Sequence, residues 1–205
     1  MFIDHVKIHA TAGDGGTGCV SFRREKYVEK GGPDGGHGGH GGDVILVADK
    51  NVNNLADLYF APRLKAERGE HGRGKSQQGR TGQPFTVKVP CGTIIRRIEF
   101  TALAGRKLMI KGEAHLAPEE AEVRQRRGRA RLAPIVETPD TDIVADLVEN
   151  GQQVVLCRGG AGGRGNTAFT SSTHQVPREF ELGEKGEEGR FELTMKTIAD
   201  VGLVG

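Results

Sequence analysis

The sequence predicts a mainly β fold in which short left-handed polyproline II-type segments pack side by side in a small bundle. Two observations predict the glycine part and a third predicts the strands. Glycine, 32 residues in all, recurs every third position in separated blocks. The clearest blocks run from Gly32 to Gly41 and from Gly159 to Gly165, with shorter ones at Gly13–Gly16, Gly69–Gly72 and Gly183–Gly189. A period of three belongs to the polyproline II helix, which has no internal hydrogen bonds. Glycine on each turn leaves one side bare, so two such helices can approach at backbone distance and bond to each other. The third observation is that the blocks abut short apolar strands. Collagen is excluded, because the period is interrupted and proline is scarce. Flexible linkers fit poorly, because Asp, His, Glu and Arg stand in phase with the glycines and serine is rare.

Along the chain, Phe2, Val6 and Ile8 alternate with Lys7 and His9, which predicts a first strand. Cys19–Phe22 leads into a charged stretch, Arg23 to Lys30. Val44–Val47 is a strand, and Asn54–Leu58 a helical turn. Lys65 to Gln83 is a polar, glycine-containing loop. Phe85–Val89 alternates and ends at Pro90, and Cys91–Ile95 opens the next strand. Arg97 to Glu137 lacks the triplets and is expected to be a mixed insertion, about 97–137. Within it, Lys107–Ile110 predicts a strand. Pro118–Arg127 predicts a helix, with early acids and late bases matching the helix dipole. Ile143–Leu147, Val154–Leu156 and Phe191–Lys196 complete the strands.

Composition narrows the function classes. A formal charge of +2 carries no bulk polyanion signature, so any phosphate contact must come from local clusters. Cys19, Cys91 and Cys157 are odd in number and lack CxxC spacing, which predicts reduced thiols. No apolar run is long enough to span a membrane, and the N-terminus lacks a signal-peptide pattern. A cytoplasmic protein without a membrane partner is expected.

Four motifs in order carry a resemblance. They are Ser21 to Gly42, Gly69-Glu-His-Gly-Arg-Gly74, Arg158 to Asn166 and Ala199 to Gly205. Together they resemble the N-terminal glycine-rich domain of the Obg (CgtA) GTPases. The resemblance implies the Obg fold over 1–196, with the polyproline II-type segments packed together on a small β-barrel, and, over 197–205, a linker and first strand of a P-loop GTPase domain. Gly205 matches the first glycine of the G-x-x-x-x-G-K-[ST] loop that binds nucleotide phosphates. The lysine and the Ser/Thr of that loop are not within this sequence, so no catalytic residue is expected in it. GTP and Mg²⁺ are implied for the parent protein, which would hydrolyse GTP. The implied role is in ribosome assembly and growth or stress control. The implied partners are the large ribosomal subunit with its 23S-type rRNA, and the protein's own C-terminal GTPase domain. The alternative is a protein-interaction domain that transmits nucleotide state without touching RNA.

Three loops are candidate RNA-binding elements. The first holds Arg23, Arg24, Lys26, Tyr27 and Lys30, and the second Arg73, Lys75, Gln77, Gln78 and Arg80. The third holds Arg158, Arg164 and Asn166. Arg and Lys neutralise phosphates, a tyrosine can stack on a base, and flanking glycines allow close approach. The bland alternative is a solvated charged loop. His37, His40 and His71 invite a metal reading, but the set is short of four ligands and no metal site is expected. The cysteines are expected to be small core residues. Arg124, Arg126, Arg127, Arg129 and Arg131 are the densest basic cluster, read as an exposed helix face or an accessory RNA contact. The glycine blocks do not open helices, so a dinucleotide cradle is disfavoured.

Overall fold

Six glycine-containing segments in the computed structural model grow directly out of β-strands and run together as one bundle. The structure describes residues 2–26, 31–101, 109–111 and 143–196. In chain order the elements are β1 (His5–Thr11), β2 (Val44–Ala48), α1 (Ala56–Phe60), β3 (Arg63–Lys65), β4 (Phe85–Val89) and β5 (Thr93–Thr101). They continue with β6 (Met109–Lys111), β7 (Ile143–Leu147), β8 (Gln153–Cys157), a 3₁₀ turn (Asn166–Phe169), β9 (Glu179–Glu181) and β10 (Glu188–Met195).

The mainly β expectation holds, with one correction. The strands make open sheets in the orders β3-β1-β10-β5-β7, β4-β2-β8 and β6-β9. No ladder joins the edge strands of the first two sheets, so no barrel closes among the described residues. The two larger sheets bury one common core instead. Val44, Leu46, Val89, Ile95, Leu147, Phe191 and Leu193 are all fully buried in it. Phe100 meets Phe191 edge-on at 6.5 Å between ring centroids.

The expected start of the insertion also needs adjusting. Arg97 to Thr101 are the second half of β5 and pair with Phe191 to Glu188 of β10 across a bulge. The apolar residues Ile98 and Phe100 suit this strand, and the absence of glycine triplets did not distinguish it from an insert. The expected strand at Lys107–Ile110 is present as β6, paired with β9. The expected helix at Pro118–Arg127 and the cluster from Arg124 to Arg131 lie outside the described residues.

The bundle explains the triplets. Its segments cover 12–19 (I), 35–42 (II), 66–73 (III), 77–83 (IV), 158–166 (V) and 181–187 (VI). They extend β1, β2, β3, β4, β8 and β10, so one set of sheets aims all six. Segment I donates to segment II from Gly13, Gly16 and Cys19, reaching the carbonyls of Gly42, Gly39 and Gly36 at 2.8–3.0 Å. Its other register, Ala12, Gly15 and Gly18, donates to Glu187, Glu184 and Glu181 of segment VI. Segment II donates from Gly36, Gly39 and Gly42 to Arg73, Glu70 and Glu67 of segment III. Each ladder advances by three residues, which is the polyproline II turn.

Glycine serves close approach here and not unusual dihedrals. A Cβ added at Gly38 would collide with the backbone carbonyl of Gly16. Among the described residues the left-handed glycines are Gly92 (φ 83°) and Gly151 (φ 85°), both in turns between strands. Gly32, by contrast, has open space around its Cβ position.

This contrast sets a test. Gly38→Ala is expected to lower stability by about 3 kcal/mol or more, since backbone on both sides cannot yield. Gly32→Ala is expected to stay within about 0.5 kcal/mol of the parent. Urea midpoints of the two variants decide it.

Candidate nucleic-acid interface at the bundle tip

Because strands lead every segment away from the sheets, the connections between segments gather at the far end. Three meet there: 20–26 and 31–34 between I and II, 74–76 between III and IV, and 167–180 between V and VI. At about 3.1 Å per residue the tip stands roughly 25 Å from the two larger sheets. The first two connections enclose a cleft of about 970 Å³. Its lining includes Arg23, Arg24, Glu25, Asp34, Arg73, Lys75 and Gln77. Residues that the sequence placed in two separate loops therefore share one cavity.

The charged groups of this cleft differ in their freedom. Arg23 holds Glu25 through two hydrogen bonds at 2.9 and 2.8 Å. That contact raises the Arg23 pKa and lowers that of Glu25. Arg24, Arg73 and Lys75 have no carboxylate in ion-pair contact among the described residues. Asp34 brings an acceptor to the same cleft: its Oδ1 is buried and without a hydrogen-bond partner among the described residues. A buried acceptor left unpaired costs free energy that a ligand's donor can recover.

The turn between III and IV carries the most informative backbone. Lys75 (φ 60°) and Ser76 (φ 56°) are left-handed although neither is glycine. Each such residue costs roughly 1 kcal/mol relative to glycine. The turn is fixed from both sides: Arg73 N–H donates to the Gln77 carbonyl at 2.9 Å, and Ser76 N–H donates to the Asp34 carbonyl at 2.6 Å. A chain this rich in glycine nevertheless keeps a lysine where glycine would be unstrained.

Other candidate residues have structural partners instead. Asn166 is completely buried. Its Oδ1 accepts from Gly35 N–H at 2.9 Å. Its Nδ2 donates to the carbonyls of Ser21 and Pro177 at 3.0 and 3.1 Å. It cannot contact RNA; it ties the first and third connections together. Arg164 grips Glu181, itself nearly inaccessible, with Nε at 3.0 Å and Nη2 at 2.7 Å. Its guanidinium also covers the Phe169 ring at 5.0 Å. Withdrawing it would take two charge-assisted hydrogen bonds from a nearly inaccessible carboxylate, so this arginine is a clamp. Arg80 is paired with Glu67 and Glu70 on the flank of the bundle. Arg158 stands at the sheet end of segment V, where its backbone N–H donates to Glu187 Oε2. Gln77, Gln78 and Lys26 are exposed, and Tyr27 and Lys30 lie outside the described residues.

Two of the three candidate histidines have structural partners, and His40 is exposed. His37 Nδ1 accepts from Gly165 N–H at 3.0 Å. His71 Nδ1 accepts from Thr17 N–H at 3.0 Å, and Arg68 approaches its Nε2. Burial first, and the Arg68 charge second, hold the His71 pKa below its ordinary value. No group of three metal-type ligands occurs among the described residues. Burial pushes the Cys157 thiol up to about 12, which suits a core residue and not a nucleophile. The sequence reading missed Asp34, Ser76 and the whole third connection. The 3₁₀ turn gives no periodic signal, and Asp34 matters only because the fold removes its partner.

Comparison with known proteins agrees with this architecture. The GTP1/OBG family model matches residues 3–117 and 133–197. This chain belongs to the GTP1/OBG family. It is 44% identical over 204 residues to the GTPase Obg of Persephonella marina and 45% identical over 205 to that of Desulforamulus reducens. The GTPase Obg of Prosthecochloris aestuarii is 43% identical over 204 residues. All of this chain is covered in each case, against 48%, 39% and 50% of those relatives. The chain thus spans about half or less of their length, and corresponds to their N-terminal part. No helix among the described residues is long and apolar enough to cross a membrane.

Two outcomes follow from these contacts. Asn166→Ala leaves the Gly35 N–H and the Pro177 carbonyl unpaired, while the Ser21 carbonyl keeps Asp34 N–H, and is expected to cost about 2–3 kcal/mol. It should also speed amide exchange in 20–26 and 173–178, read by mass spectrometry. His71 supplies a pH dependence. Its folded pKa lies below the ordinary 6.5, so the unfolded chain takes up the proton first. Its contribution is whole above pH 6.5 and is lost as pH falls through the lower folded value. Urea midpoints between about pH 7.5 and 5 should therefore drop further for the parent than for His71→Gln.

Proposed function

We propose that this chain is the rRNA-docking module of an Obg-type GTPase that acts on the large ribosomal subunit during assembly. The observation that carries the proposal is the tip cleft, where Arg24, Arg73 and Lys75 stand unpaired with carboxylates among the described residues. Phosphates satisfy such cations. RNA also carries base N–H and ribose 2′-OH donors, which suit the unpaired Asp34 Oδ1. A rigid stalk of backbone ladders ending in a small charged tip suits a narrow RNA cavity better than a flat protein face. GTP binding and hydrolysis with Mg²⁺ would belong to the polypeptide that follows Gly205, in keeping with the relatives named as GTPases. A cytoplasmic location accords with this role.

Strain at Lys75 gives the sharpest test. Lys75→Gly relieves a left-handed lysine and is expected to raise stability by about 1 kcal/mol. Binding to purified large subunits should weaken all the same. In a salt series, Arg24→Ala/Arg73→Ala should make the slope of log K against log salt shallower by about 1.4, two contacts at about 0.7 each. Co-sedimentation beside urea unfolding measures both. Unchanged binding by the stabilised Lys75→Gly variant would contradict the proposal. Salt-insensitive binding would favour a protein contact instead.

A further inference from the structure

The tip cleft already holds an anion of its own, and it sits on Arg23. The guanidinium presents Nε and Nη2 to Glu25 at 2.9 and 2.8 Å. This is the fork that an arginine also offers to a phosphate. Each carboxylate oxygen accepts one bond, so both prongs are taken. Both residues line the cleft, together with Lys75 of the second connection. Hydrogen bonding from Arg23 first, and the charges of Arg23 and Lys75 after it, hold the Glu25 pKa below its ordinary value. The carboxylate is therefore ionised at neutral pH, in the field of cations from two connections.

The backbone around the pair is fixed, whereas the pair itself faces water. Phe22 bridges Pro33, and Arg23 N–H donates to the Gly32 carbonyl at 3.0 Å. Lys75 is held in its turn by the bonds from Arg73 to Gln77 and from Ser76 to Asp34. The side chains of Arg23 and Glu25 are 59% and 52% exposed. The same fork recurs between Arg164 and Glu181, but there the carboxylate side chain is 3% exposed. One fork is a structural clamp. The other opens into water at little cost, as exposed ion pairs do.

Charge shows what the exposed fork does. Arg23, Arg24, Arg73 and Lys75 line the cleft as cations, and Glu25 and Asp34 as anions. Glu25 occupies the fork of the one cation in this set that a carboxylate holds in ion-pair contact among the described residues. A phosphate reaching Arg23 must displace it. Occupancy then depends on further contacts to Arg24, Arg73 and Lys75.

We propose that Glu25 is a built-in competitor of RNA: its carboxylate holds the place of one phosphate on Arg23 and leaves when the cleft is filled. The inference rests on the RNA-docking reading of the same cleft and gives Glu25 a restraining role within it.

Glu25→Gln keeps the size of the side chain and removes its charge. Co-sedimentation with purified large subunits over a salt series is expected to show about 3- to 5-fold tighter binding than the parent. The slope of log K against log salt should steepen by about 0.7, one further phosphate contact. The gain should disappear in an Arg23→Ala background, which separates competition for that fork from a general loss of negative charge. Equal or weaker binding by Glu25→Gln would overturn the proposal and leave RNA docking standing. The same gain with and without Arg23 would overturn it too. Parent binding that is absent or insensitive to salt would remove the docking reading, and this inference with it.

Discussion

Backbone-to-backbone contact between glycine segments is the constraint on which the rest of this structure depends. A polyproline II helix leaves every amide and carbonyl unpaired, and a buried unpaired amide is costly. The bundle resolves this by giving each segment partners on several sides. Segment I bonds to segments II and VI in two registers, and segment II bonds onward to segment III. These distances exist only because no Cβ stands between the segments. Glycine loses more conformational freedom on folding than any other residue, so the ladders must outweigh an unusually large entropy.

That solution has a geometric consequence. Segments prolonging strands of a shared core inherit their directions from the sheets, and their connections must collect at the far end. The described tip loops are tied to one another by specific contacts. Asn166 joins Gly35, Ser21 and Pro177, and the Arg164–Glu181 clamp closes the third connection. Lys75 and Ser76 remain in left-handed backbone because hydrogen bonds from Arg73 to Gln77 and from Ser76 to Asp34 over-determine the turn.

Among the described residues, cations without ion-pair partners line the tip cleft. Substitutions along the glycine ladders should therefore disturb the whole cleft, whereas changes at Lys75 should act locally.

The sequence by itself determined the bundle and most of the strands. A three-residue glycine period has few physical interpretations, and the alternations around Val6 and Ile8, over Phe85–Val89 and over Phe191–Lys196 fall on β1, β4 and β10. It also located Arg23, Arg24, Arg73 and Lys75, because charged residues beside glycine turns are visible locally. Short strands such as Arg63–Lys65 and Glu179–Glu181 carry too few residues to show a period. Whether the sheets closed into a barrel depended on edges far apart in the chain. Tertiary structure alone decided which basic residues are free. Arg164, Arg80 and Asn166 resemble Arg73 and Gln78 on paper, but their partners lie 17, 13 and 131 residues away. Pairing over such separations is fixed by how the six segments pack, and no local pattern records it.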